Sequence, residues 1–333
     1  MGRLIVVILT GALIWMVWWA FGSTALDRSL TAWVDARRAE GWAADVENIS
    51  VKGFPNRFDT TLTEVHLADP DTGVAWAAPF FQILALAYKP YQVIAVLPPE
   101  HRLSTPMQTL TISNEQATGS IFFKPNPSLP LDRSTIVVDG LAISSSRGWE
   151  TTLEQGRFAT EPVPARPNAH RIGAEITGLI PSKDVRKLLD PAGILPVQVE
   201  RLRVDAAVGF TTSWDRSAIE VARPQITDID LGDLSAVWGN VTFRAAGELT
   251  VDETGLPSGE ITVKAVEWRR LLEMAVATGL VAEPFAPTIE RGLELLAALK
   301  GPADTIDAPL TFAQGNVSLG LIPLGPAPRL IIR

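Results

Sequence analysis

Between Leu4 and Phe21 the chain reads LIVVILTGALIWMVWWAF, eighteen residues without a charge. As a helix rising 1.5 Å per residue it covers about 27 Å, close to the hydrocarbon thickness of a bilayer. Nothing else in the chain limits the fold so strongly. Trp15, Trp18 and Trp19 close the run, and tryptophan favours the lipid–water interface, where its ring is apolar and its N–H finds a partner. Two readings compete. Ser23-Thr24-Ala25 offers small residues for signal cleavage after Ala25. The length of the run and its tryptophans favour a retained anchor over residues 1–22, and that reading is preferred. A buried helix of a soluble domain does not fit so long an uncharged run at the N-terminus.

Arg3 and the free amine precede the run, while Asp27, Arg28, Arg37 and Arg38 follow it. The later bases oppose an outward C-terminus under the positive-inside rule. A short leader before an apolar segment is nonetheless the usual arrangement of an exported, signal-anchored protein, so the body is expected outside the cytoplasm.

The 333 residues are 47% apolar, enough for one large domain or two moderate ones with a substantial core. The net charge of -8 disfavours nucleic acid, whose phosphates would be repelled. The absence of cysteine excludes disulfides, thiolate metal sites and cysteine catalysis. Twenty-five glycines and twenty-five prolines point to many turns.

After the anchor, Leu26, Leu30 and Val34 at spacing four predict a helix over residues 24–41, a stalk reaching to about residue 45. From Val46 the pattern becomes short strands. Phe58, Thr60 and Leu62 alternate, and Asp69-Pro70-Asp71-Thr72-Gly73 is a strong turn. Residues 79–99 are apolar on both faces, with Leu84, Leu86 and Tyr88 on one and Phe81, Ile83 and Ala85 on the other. Such a strand needs cover on both sides, from protein or from a greasy ligand. Strands are expected at 109–113, 119–123, 134–138, 141–145, 149–154 and 171–176. The three prolines of residues 161–167 are the candidate boundary or crossover, and the chain is divided into a first β-rich half, 46–165, and a second, 166–333. Ser182 caps a short helix to Asp190, with Val185, Leu188 and Leu189 on its apolar side.

In the second half Leu202, Val204, Ala206, Val208 and Phe210 alternate with polar or small residues. Residues 237–251 are read as one long strand with Val241, Phe243 and Leu249 on its apolar face. Asp252-Glu253-Thr254-Gly255 turns it, and Ile261 and Val263 return in phase. Glu267 to Lys300 switches to helical periodicity, broken at Glu283-Pro284-Phe285-Ala286-Pro287 into a helical hairpin.

No nucleophile elbow, HExxH, phosphate loop or GxGxxG occurs. His66, His101 and His170 are far apart, and a joint metal site is disfavoured. Asp228, Asp230 and Asp233 lack the further oxygens of a calcium loop. Arg269-Arg270 reads as a solvated helix face before it reads as a headgroup site. The tryptophans beyond the anchor, Trp42, Trp76, Trp149, Trp214, Trp238 and Trp268 among them, lie near element ends, where packing is their ordinary role. No cofactor, metal or enzymatic activity is expected.

Three groups of residues carry a resemblance. They are Gly53-Phe54-Pro55 with Phe58, Trp238-Gly239 through Gly255-Leu256-Pro257-Ser258-Gly259, and Pro309-Leu310-Thr311-Phe312 with Gly315, Leu319-Gly320 and Pro323-Leu324-Gly325. With these the chain resembles a bacterial envelope family of unknown function, DUF2125-like, single-span and largely β. More distantly, the long hairpin is similar to AsmA-like envelope proteins. Those build an elongated, curved sheet with an apolar groove and are implicated in phospholipid movement; their tandem repeats are missing here.

The expected fold is therefore mainly β (α+β). An N-terminal transmembrane helix precedes an elongated, curved antiparallel β-sheet body with few helices, the largest helical hairpin near 267–300. The resemblance implies a bacterial inner-membrane protein with its body in the periplasm, and phospholipid as candidate partner. Leu84, Leu86, Val241, Phe243, Leu249, Ile261 and Val263 form the candidate lipid-facing set. Leu4, Trp15, Trp18, Trp19 and Phe21 mark the span. The alternative is a scaffolding protein with a closed core and no ligand.

Overall fold

The computed structural model describes residues 1–279, 281–300, 302–320 and 322–332. Strands take 51% of the residues and helices 23%, and every strand pairing is antiparallel, so the mainly β expectation holds. Two compact units divide the chain: Met1–Pro125 with Ile136–Gly148, and Asn126–Thr135 with Trp149–Arg333.

The first unit opens with α1 (Gly2–Ala39), a single unbroken helix. It is long and apolar enough to cross a membrane. The helix stops earlier than the expected stalk, because Gly41 takes a φ of +92° and turns the chain. Arg38 then donates to the carbonyl of Ala44 at 2.6 Å, and β1 (Ala43–Lys52) has already begun. There follow β2 (Arg57–Asp69), β3 (Val74–Leu86), β4 (Lys89–Val96), β5 (Glu100–Ser104), β6 (Thr109–Ser113), β7 (Gln116–Phe123) and, from Ile136 onward, β8 (Leu131–Ser145), whose first five residues belong to the second unit.

On β2, Phe58, Thr60 and Leu62 are buried, and then the phase changes to Val65. Glu64 at φ +47° lies between the two runs. Its left-handed backbone re-aims the side chains without shifting the register against β1 or β3. Strand β3 starts five residues before the expected Pro79. Proline is tolerated there because Pro79 lies between two partners: residues 75–77 pair with β5, and residues 82–86 pair with β4. The expected strands 134–138 and 141–145 are one strand, β8, with Gly140 as a left-handed kink inside it.

The second unit holds β9 (Glu150–Pro162), β10 (Ala169–Leu179), α2 (Lys183–Leu189), β11 (Val199–Phe210), α3 (Ser217–Glu220), β12 (Ile226–Trp238), β13 (Val241–Val251) and β14 (Pro257–Val266). It closes with α4 (Trp268–Ala277), α5 (Ala286–Lys300), β15 (Thr305–Ala313), β16 (Asn316–Leu319) and β17 (Ile322–Pro326). From β9 to β17 each strand pairs with its successor. The proline-rich stretch 161–167 lies within this unit. It closes the β9–β10 hairpin inside this unit.

The expected strand 237–251 is the end of β12, a tight turn at Gly239-Asn240, and β13. Alternation runs through the turn, which hid it. The phase of the next hairpin is as read: Phe243 lies opposite Ala265, Ala245 opposite Val263 and Gly247 opposite Ile261. This sheet has two unlike faces. Arg157, Glu175, Arg203, Ser235, Arg244 and Lys264 fall in one cross-strand row on the wet face. The other face is apolar. Its centre gathers Ala206, Val208, Phe210, Leu231, Ala245 and Val263. At one end α4 and α5 bring Trp268, Ile289 and Leu293 onto Ala265, Ile306 and Ala308, so the helical hairpin near 267–300 is a lid on the sheet.

Candidate functional site: an apolar cavity under two helices

Beside the Gly239-Asn240 turn the apolar face is not filled. Leu202 of β11, Ala236 of β12 and Phe243 of β13 lie side by side in register. Above them α2 contributes Val185 and Leu189, and α4 contributes Leu271 and Met274. Between sheet and helices remains a cavity of about 250 Å³.

The local sequence explains each wall. Ser182 caps α2, its hydroxyl accepting from the amide of Val185 at 3.4 Å. Asp190 ends the helix and accepts from the amide of Leu195 at 2.8 Å. Trp238 is 6% exposed and donates its indole N–H to the Pro196 carbonyl at 2.7 Å. Gly239 (φ +59°) donates to both carboxylate oxygens of Glu200, at 2.9 and 3.1 Å, which holds the turn. Among the described residues every lining side chain is apolar, and the Trp238 N–H is already paired. The described lining residues include no acid, base or nucleophile. The cavity suits an alkyl chain, for which burial is the only attraction required. Helix α2 has no buried residue, and Val185 and Leu188 are 45% and 48% exposed, so the roof is thin on that side.

The seven candidate lipid-facing residues are divided between the two units. Leu84 and Leu86 belong to β3 of the first unit, where both are half-buried. In the second unit Val241, Leu249 and Val263 are buried at 4%, 6% and 9% exposure, while Phe243 and Ile261 are half-buried. Of the seven, Val241 and Phe243 line the cavity. Leu179, Leu189, Leu271 and Met274, which also line it, carry no signal in local periodicity that ties them to β13. They come from elements far apart in the chain.

At the anchor, all three tryptophans are bound to the body. Trp15 donates to the carbonyl of Pro55 at 2.8 Å, Trp19 to that of Arg57 at 2.8 Å, and Trp18 to that of Ala87 at 3.4 Å. The ring of Trp19 meets Phe54 edge-on at 5.4 Å and stacks on Phe58 at 6.1 Å. The turn Gly53-Phe54-Pro55-Asn56 thus grips the apolar helix.

A family model, that of an uncharacterized protein conserved in bacteria, matches residues 19–328. The chain belongs to DUF2125. No curated protein and no solved structure matches it. The DUF2125 match covers both units and the last part of the apolar run, and nothing in the comparisons reaches the AsmA-like proteins.

Most of the remaining polar candidates of this DUF2125 chain have partners in its structure. Asp228 pairs with Arg166, and Asp233 with Arg203 at 3.5 Å, while Asp230 stands on the strand opposite Glu248. Among the described residues no three His, Asp or Glu side chains are grouped to hold a metal. Arg269 bonds Glu294 at 2.8 Å and lies 4.3 Å from the Trp268 ring centroid. Arg171 donates twice to Asp205, at 2.8 and 2.6 Å, and holds that carboxylate below its ordinary range. His101 is buried, which pushes its pKa down.

Proposed function

We propose that the chain is a membrane-anchored envelope protein that binds phospholipid through an acyl chain, with α1 in the bacterial inner membrane and the body in the periplasm. The observation that carries the lipid reading is the cavity beneath α2 and α4, walled wholly by apolar side chains. Its size accommodates part of one chain, and the thin roof at α2 gives a route of entry. With no titratable group among the described lining residues, the reading is of a binding protein and not an enzyme. The anchor reading rests on the length and apolarity of α1.

Burial of Val241, Leu249 and Val263 favours a second reading, in which the apolar face is simply a closed core and the protein is a scaffold. One experiment separates the two. The full chain is purified in detergent, exchanged into a lipid-free amphipol and examined by native mass spectrometry. Near-stoichiometric phospholipid, lost in Ala236→Phe, supports binding in the cavity. Equal lipid content in both chains refutes it. A C-terminal alkaline phosphatase fusion should be active; an inactive one refutes the periplasmic placement. An N-terminal sequence beginning at Leu26 refutes the retained anchor.

A further inference from the structure

We propose that the tip of the first unit, formed by the Gly53–Asn56 turn and Tyr88, is immersed in the lipid–water interface beside α1, with Phe54 and Tyr88 as its lipid contacts. This deepens, and rests on, the membrane-anchor reading.

The argument begins with depth. Trp15 lies six residues before the end of the apolar run at Phe21, which is about 9 Å along a helix. Its indole donates to the carbonyl of Pro55, so the turn reaches that same level. If the tip stayed in water, only Leu4–Ile14 would remain for the bilayer. Eleven residues cover about 16 Å, roughly half the hydrocarbon thickness. A full span requires that the tip descend with the helix.

The tip is built for that position. Phe54 and Tyr88 are 50% and 55% exposed and project from adjoining turns. The turns are tied together, since the amide of Ala87 donates to the carbonyl of Asn56 at 2.8 Å and the carbonyl of Ala87 accepts from Trp18. Lys52 and Lys89, both exposed, flank the two turns. Asp59 nearby is paired with Arg57 at 2.9 Å. Aromatic rings ringed by lysines are what an anionic lipid interface takes up: rings at the headgroup level, ammonium groups at the phosphates. Backbone polar groups at that depth need partners, and the three tryptophan N–H groups supply them to the carbonyls of Pro55, Arg57 and Ala87.

The absence of cysteine makes a direct test practical. Single-cysteine variants of the full chain, Ile8→Cys, Phe54→Cys, Tyr88→Cys and Met107→Cys, are labelled with an environment-sensitive fluorophore. They are reconstituted in phosphatidylethanolamine–phosphatidylglycerol vesicles carrying nitroxide lipids. Met107 is the control: it is 77% exposed, and β5 pairs with the end of β3 remote from the tip, about 35 Å away. Labels at 54 and 88 should be quenched by headgroup-level nitroxide at least threefold more than at 107, and should be shielded from iodide. Tyr88→Cys leaves the Trp19–Phe54 contact intact, so the test does not depend on Phe54→Cys folding. Labels at 54 and 88 that behave like 107, while Ile8 is quenched by mid-chain nitroxide, overturn the immersed tip and leave the anchor standing. An unquenched label at Ile8 overturns the anchor and the tip together.

Discussion

Gly22 of α1 faces the ring of Phe58 so closely that a Cβ at position 22 would lie 2.6 Å from the ring's Cζ. Phe58 is only 3% exposed, so it has little room to yield. Gly22→Leu should force helix and sheet apart at a cost of about 1–3 kcal/mol, the usual range for overpacking. Thermal unfolding of the full chain in detergent micelles should show a lowered midpoint. An unchanged midpoint would mean that the helix does not pack on β2 in solution.

Phe243 sits between Ala236 and Ala265 in the register and lines the cavity with part of its ring uncovered. Phe243→Ala should therefore cost about 2 kcal/mol, less than the 3–5 kcal/mol of a fully buried ring. It should also lower bound phospholipid. Thr242→Ala, on the wet face, should change neither. Urea unfolding with lipid quantitation measures both. A full-sized stability loss with lipid content unchanged would favour the scaffold reading.

The turn at Gly239 should be intolerant of any side chain. Its φ of +59° is strained for other residues, and a Cβ would lie 2.7 Å from Pro196 Cδ. Gly239→Ala should destabilise the second unit by at least about 1 kcal/mol. Urea unfolding followed by tryptophan fluorescence is the readout, compared between the variant and the unsubstituted chain. Wild-type stability would show that the turn takes another form.

Stability should fall with acid above the range in which carboxylates titrate. Burial holds His101 below the ordinary imidazole value of about 6.5. The unfolded chain therefore takes up the proton first. The contribution is intact above pH 6.5 and is lost as the pH falls through the folded value. Asp69 and Asp252, both depressed by hydrogen bonds within their turns, matter only below about pH 4. The melting midpoint should drop between pH 7.5 and 5, and drop less in His101→Gln. Parallel slopes in the two chains would remove His101 as the cause.

Alternation was readable in the sequence wherever one face of a strand is wet. Leu202 to Phe210 and Val241 to Leu249 show it, and the phase of Ile261 and Val263 followed from the turn between them. It misled where the geometry departs from the residue type. Gly140 looks like a turn but is a kink within β8, and the real turn at Gly239 is concealed because alternation continues across it. Only residues 149–154 of the β9 region show a strand pattern, because half-buried residues on both faces leave no clean period. Of the cavity, the candidate set held only Val241 and Phe243 on its floor. Its roof was not legible, because the docking of α2 and α4 over those residues depends on contacts distant in the chain, and neither helix records its partner in its own periodicity.

Strand β3 changes partners at Pro79, with β5 along one stretch and β4 along the other. One continuous strand thus belongs to two separately closed hydrogen-bond ladders. Breathing of the β5–β6 flap would free the amides of residues 75–77 that face it and leave residues 82–86 protected. Amide exchange along this strand should then proceed at two rates, dividing where the ring of Pro79 interrupts the ladder.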